Sequence, residues 1–246
     1  MIDGRAAAAL VGSAVVCGCA PVDSAAAAAA RGPDEPPRSP TVDRPLIPVD
    51  PADLTVTSGT ITKQASTTFA VRSGGMRAEL GAEPRDAVRI DFVYLGPSRV
   101  PAPLASGELR RQIGLKLRAS NTCNVVYAMW HIEPSRGIEV SVKSNPGQRL
   151  HGECGDRGYV FLKPTSARQV ADVRPGERHS LEAAIIGDEL RVVADDVPSW
   201  VGKLPPAAFA FDGPVGLRTD NGDFDVRMAA LAPSREAADR AADRSR

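Results

Sequence analysis

The sixteen residues FDGPVGLRTDNGDFDV (211–226) hold four aspartates and one asparagine. Closely spaced carboxylates are what a hard cation such as calcium takes as ligands. Asp220, Asp223 and Asp225 are therefore the positions from which a cation site could be built, with Ca2+ as the ion. Asp220 and Asn221 are also suited to bonding the hydroxyls of a ligand. The same stretch spells a turn. Val215, Leu217 and Thr219 alternate before Asn221-Gly222, and Phe224, Val226 and Met228 alternate after it. Asn-Gly between alternating runs is a strong hairpin signal, because both residues tolerate positive φ. The spacing favours the turn, since the calcium loop of alternate acids, a central Gly and a distal Glu is not matched.

Other reactive residue types are sparse. HIE (His131, Glu133) and HGEC (His151, Glu153, Cys154) each contain the His-x-Glu fragment of zinc deaminases. That chemistry also needs a Pro-Cys-x-x-Cys run to complete the metal shell, and the sequence contains none. A Gly-x-Ser-x-Gly elbow and a phosphate-cradling glycine loop are missing too, so neither acyl transfer nor nucleotide chemistry is indicated. Aromatic residues make up 4% of the chain, which draws attention to its two tryptophans. Trp130 lies in a strongly apolar run and reads as core. Trp200, in DDVPSWVGKLPP, falls in a loop-like segment. It either stacks on a sugar face as a ligand-binding residue or packs one end of the fold.

The elements that would position these residues are strands. In ELRRQIGLKLRA, Ile113, Leu115 and Leu117 alternate with Gln112, Lys116 and Arg118, the period of a half-buried strand. GIEVSVKS places Ile138, Val140 and Val142 on one face and Glu139, Ser141 and Lys143 on the other. NVVYAMWHIE is apolar enough for a central strand covered on both faces. HSLEAAIIGDELRVVADD reads as a hairpin about Gly187-Asp188. AVRIDFVYLG, GYVFLKP and TTFAVRSG are further strands, and no segment sustains a helical period over ten positions. Short strands with Gly- and Pro-rich turns predict an all-β fold, an antiparallel sandwich or jelly roll. Its span is 53–233, followed by a charged tail at 234–246.

Upstream, residues 19–52 are rich in Pro, Ala and small polar residues and have no face to bury, the composition of a disordered tether. Residues 1–18 carry an apolar stretch, Ala6 to Val16, of signal-peptide length rather than membrane-spanning length. Its end, Val16-Cys17-Gly18-Cys19, resembles the bacterial lipobox. That resemblance implies lipidation of Cys19 and an exported, lipid-anchored protein, whose only membrane contact is the anchor; secretion without an anchor is the alternative. Export makes a disulfide between Cys123 and Cys154 the simplest use of the two remaining cysteines. It would close a loop of about 30 residues and stabilise by roughly 3 kcal/mol. The alternative is a pair of free thiols. Thirty basic residues balance thirty acidic ones, so nucleic acid, which binds through neutralised phosphates, is not an expected partner.

HSLEAAIIGDELRVVADDVPSWVGKLPP followed by FDGPVGLRTDNGDFDV resembles the C-terminal half of laminin-G-like, concanavalin A-like domains. Secreted domains of the keto-disaccharide hydrolase and family 16 glycoside hydrolase type share that half. The resemblance implies a β-sandwich and admits several functions. Retaining family 16 hydrolases use a Glu-x-Asp-x-x-Glu or Glu-x-Asp-x-Glu strand, and this chain has neither. The expectation is a non-catalytic binding module with a polysaccharide or another cell-surface component as partner. A glycoside hydrolase-like enzyme on the same fold and a structural envelope protein are the other readings.

Overall fold

A computed structural model describes residues 44–232, which form two antiparallel sheets packed as a sandwich. The strands are Leu46–Pro48 (β1), Leu54–Ser58 (β2), Thr62–Lys63 (β3), Thr68–Val71 (β4), Gly75–Leu80 (β5) and Ala87–Pro97 (β6). They continue with Arg111–Asn121 (β7), Asn124–Glu133 (β8), Gly137–Lys143 (β9), Tyr159–Phe161 (β10) and Ser166–Ala167 (β11). The last five are Arg178–Ile186 (β12), Glu189–Ala194 (β13), Val197–Lys203 (β14), Gly216–Asp220 (β15) and Gly222–Leu231 (β16). One four-residue helix, His151–Cys154 (α1), precedes β10. Among these residues no helix is long and apolar enough to cross a membrane. Cys19 and the signal-like segment lie outside the described residues.

The first sheet runs β11-β14-β13-β12-β6-β16-β4-β3, with β1 also on β16; the second runs β10-β9-β8-β7-β15-β5-β2. Period-2 alternation decides what lies between them. Ile113, Leu115 and Leu117 of β7, Val126, Ala128 and Trp130 of β8, and Val140 and Val142 of β9 face Phe92, Leu181, Phe224 and Val226 across one apolar core. Phe92 meets Trp130 edge-on at 5.9 Å. β12 and β13 form the hairpin expected about Gly187, whose φ is +63°.

Two expectations are corrected. The tether does not extend to residue 52. β1 pairs with the end of β16, and Asp50 caps the following turn by accepting from the amide of Ala52. The apolar residues Leu46 and Val49 make this possible, since both are buried within an otherwise Pro-rich stretch.

Asn221-Gly222 does not close a hairpin either. Both edges of β15 are already taken, by β5 and β7, and β16 is likewise flanked by β6 and β4. The two strands therefore belong to different sheets, and the turn carries the chain from one to the other. Asn221 adopts φ +56°, which costs asparagine less than most residues. Its backbone N–H donates to Gly74 O at 2.9 Å, and its carbonyl accepts from Ser98 N at 3.0 Å. Its side chain accepts from Ala102 N at 2.7 Å and donates to Arg110 O at 3.1 Å. One residue thus ties the β4–β5 turn to both ends of the β6–β7 connection. Asn221→Gly keeps the backbone angle and loses the two side-chain bonds, so urea unfolding should show a loss of about 1–3 kcal/mol. Asn221→Ala adds the cost of a left-handed conformation and should lose about 1 kcal/mol more; equal losses would mean that φ at this corner carries no strain.

Candidate functional site

The residues that alternate with the core positions of β5, β15, β7, β8, β9 and β10 project from the outer face of the second sheet. Register sets them in rows. Glu79, Gly216, Lys116, Tyr127, Ser141 and Phe161 lie level across the six strands. The next row holds Arg77, Arg218, Gly114, Met129 and Glu139, and the one beyond it Gly75, Asp220, Gln112 and His131. Lys143 and Tyr159 form a short row at the opposite end. This face is polar yet tightly packed: Gln112, Lys116, Lys143 and Asp220 are each at most 3% exposed.

Arg218 organises the face. It starts level with Gly114, and its guanidinium sits 5.1 Å from the ring centroid of Tyr127, one strand beyond. Between them lies β7, where Gly114 stands level with Arg218 and an added Cβ would come within 2.5 Å of both Ala128 O and Met129 Sδ. Arg218 Nε donates to Asp220 Oδ2 at 2.8 Å, Gln112 Nε2 donates to the same oxygen at 2.7 Å, and Arg77 reaches Oδ1 at 3.0 Å. Burial opposes the charge on Arg218, but Asp220 outweighs it and the guanidinium pKa is raised. Lys116 pairs with Glu79, while Lys143 Nζ donates to Gly155 O at 2.6 Å and lies 5.2 Å from the ring centroid of Tyr159. Burial lowers both lysine pKa values, and the nearby Arg77 and Arg218 push the same way.

Aromatic rings extend the face toward its edge. Tyr127 stacks on Tyr159 at 6.4 Å, and Tyr159 on Phe161 at 6.2 Å. Phe161 is 62% exposed. Burial pushes the Tyr159 hydroxyl up to about 12, so it stays protonated as a hydrogen-bond donor. β10, an edge strand, carries Tyr159 and Phe161, and the Cys123–Cys154 disulfide fixes the segment leading into it. The bond joins the β7–β8 turn to α1 with the Cα atoms 5.9 Å apart. Within that segment Glu153 accepts from the amides of Arg149 and Leu150 at 2.7 and 2.8 Å. The carboxylate of the His-x-Glu fragment at 151–153 is thus engaged in capping a helix.

Among the other sequence candidates, Trp200 is 2% exposed and packs in the core from β14, its ring directly over Gly202. It has no free ring face for a sugar. Asp220 and Asn221 do adjoin the face, but every bond described above is internal. The three aspartates do not converge. Asp220 belongs to the second sheet, whereas Asp223 and Asp225 lie on β16 of the first, and Asp225 pairs with Arg72 at 2.5 Å. Among the described residues no group of three His, Cys, Asp or Glu side chains is placed to hold a metal ion. Sequence reasoning did not single out Arg77, Tyr127, Tyr159, Phe161 or Arg218. Period-2 alternation marks them as facing away from the core, but only the strand order brings them together.

His131 closes the far end of the face, where its Nε2 is 3.3 Å from Arg110 Nη1, a group that can only donate. The ring is therefore held neutral. Burial, helped by the Arg110 charge, lowers its pKa to about 4. An unfolded chain takes up this proton near pH 6.5 and the folded one does not, so stability falls as pH drops from 6.5 toward 4. His131→Gln removes that dependence. Between pH 7.5 and 4.5 the unmodified chain should lose about 2–3 kcal/mol more than the variant in urea unfolding; parallel losses would show that His131 titrates normally.

No protein-family profile matches the chain, and no curated protein matches it in sequence. Solved structures do. Carbohydrate-binding module CBM66 from Bacillus subtilis superposes with a TM-score of 0.50 at 14% identity, covering 72% of this chain and 96% of that one. A laminarinase from a Flavobacterium species gives 0.43 at 7% identity over 75% and 95%. A galectin from Caenorhabditis elegans gives 0.37 at 8% over 75% and 99%. At these identities the likeness is one of fold alone, an antiparallel β-sandwich.

Proposed function

We propose that this chain is an exported protein, anchored through Cys19, whose jelly roll is a non-catalytic glycan-binding module. Its site is the outer face of the second sheet around Arg218. The observation that carries the reading is the combination of an exposed aromatic edge with a buried polar floor whose acceptor Gln112 Oε1 has no partner. Leaving a buried acceptor unpaired costs about 1–3 kcal/mol, and a sugar hydroxyl is a donor of the right kind to satisfy it. Stacked Tyr159 and Phe161 offer an apolar surface to a pyranose ring. The disulfide accords with an oxidising compartment, and a carbohydrate-binding module among the similar folds accords with the ligand class.

The carboxylates favour binding over hydrolysis. A glycosidase needs one carboxyl that can give up a proton and a second that is free to attack or to activate water. Both oxygens of Asp220 are committed to Arg77, Arg218 and Gln112, and Glu79 is committed to Lys116. Neither is free to act, and Glu139, the third carboxylate of the face, is met by Arg110 at 3.5 Å.

A glycan array probed with the purified chain should give reproducible binding. Phe161→Ala, which removes an exposed ring and leaves the core untouched, should weaken it about tenfold. Trp200→Phe, deep in the other sheet, should leave affinity unchanged in protein that folds. Undiminished binding by Phe161→Ala together with loss in Trp200→Phe would move the site off this face.

A further inference from the structure

The outer face carries more positive charge than its carboxylates neutralise, and the surplus is local. Four cations, Arg77, Lys116, Lys143 and Arg218, project from four strands, and three carboxylates, Glu79, Asp220 and Glu139, stand among them, Glu139 being met by Arg110. Glu79 is matched by Lys116. Asp220 is shared between two guanidinium groups, which leaves one positive charge in excess. Lys143 supplies another: it is 2% exposed, bonds only to a carbonyl, and makes no ion pair among the described residues. Asp156 influences it electrostatically but lies beyond ion-pair distance. Arg110 meets both Glu108 and Glu139, which uses up those two carboxylates. The excess therefore rests on Lys143, level with Tyr159, and on the two guanidinium groups that share Asp220.

Removing an ammonium group from water is costly unless an opposite charge compensates it. Here Lys143 and two guanidinium groups crowd together with one shared carboxylate, an arrangement that an incoming anion relieves. Arginine presents a planar fork that matches a carboxylate, and lysine adds a point charge.

Resting on the glycan-binding reading, we propose that the ligand is acidic: a polysaccharide whose sugar carboxylate sits among Lys143, Arg218 and Arg77 while its ring lies on Tyr159 and Phe161. The unpaired Gln112 Oε1 takes a hydroxyl of the same chain. Neutral glycans of similar shape bind more weakly, because they stack equally well and leave the cations uncompensated.

The test compares matched polymers. Polygalacturonate, alginate and hyaluronan, each beside its carboxyl-reduced counterpart, are titrated into the purified chain at 50 and 300 mM salt. At least one acidic polymer should bind ten times or more tighter than its reduced form, and the difference should shrink at the higher salt. Arg77→Gln, on the accessible rim, and Lys143→Gln should each bring the acidic polymer close to the reduced one in affinity. Arg77→Gln keeps the test available if Lys143→Gln does not fold. Equal binding of acidic and reduced forms, or binding of neutral glycans alone, overturns the acidic ligand and leaves a glycan module standing. Failure to bind any polymer in either form overturns both.

Discussion

The structure depends on what happens at two consecutive residues, Asp220 and Asn221. The first ends a strand of one sheet and the second starts the passage to the other. Asn221 holds three separate segments through four hydrogen bonds, and it fixes where the sheets join. Asp220 then has no freedom of position. Its carboxylate, almost wholly buried, receives Arg218 from its own strand and Arg77 and Gln112 from the two flanking strands. A buried carboxylate without such partners would be prohibitive; with them it sets the geometry of the whole outer face. Arg218, with its Nε engaged by Asp220, lays its guanidinium over the ring of Tyr127, which in turn stacks on Tyr159.

The two sides of the second sheet solve different problems with the same alternation. The inner side buries aliphatic and aromatic residues against the first sheet. The outer side is packed nearly as closely, but with charges and hydrogen bonds. Polar networks of this kind are demanding, since each unsatisfied member costs stability. Here most members are satisfied internally. The exceptions are the Gln112 carbonyl, in the His131 row, and the Lys143 ammonium, which meets a backbone carbonyl and the Tyr159 ring at the other end of the same outer face. Deficits that share a face with an accessible apolar platform are what a carbohydrate site requires, because a sugar presents hydroxyls around an apolar ring face.

Much of the fold was legible in the sequence. Strand alternation in β7 and β9 correctly assigned core and outer residues, and the β12–β13 hairpin followed from Gly187. The Cys123–Cys154 pairing followed from cysteine count and the expectation of export. Asn221-Gly222 misled because a local signal reports backbone angles and not strand partners. Positive φ serves a hairpin and a sheet-to-sheet corner equally well, and only the occupied edges of β15 and β16 decide between them. Trp200 misled for a related reason. Its Pro-flanked segment looks like a loop, yet it forms β14 and turns the ring inward. The site itself was the least legible part. Arg77, Lys143 and Arg218 are far apart in sequence and on strands that are not sequential neighbours, so no motif could announce them.

The proposed reading has ligand meeting this chain on the outer face of the second sheet. It is tested most directly by mapping amide and side-chain NMR shifts while a glycan bound by the chain is titrated in. The largest changes should cluster at Arg218, Gln112, Lys143, Tyr159 and Phe161, with the first sheet unaffected. Shifts centred instead on β16 near Asp223 and Asp225, or on the segment around Trp200, would contradict it.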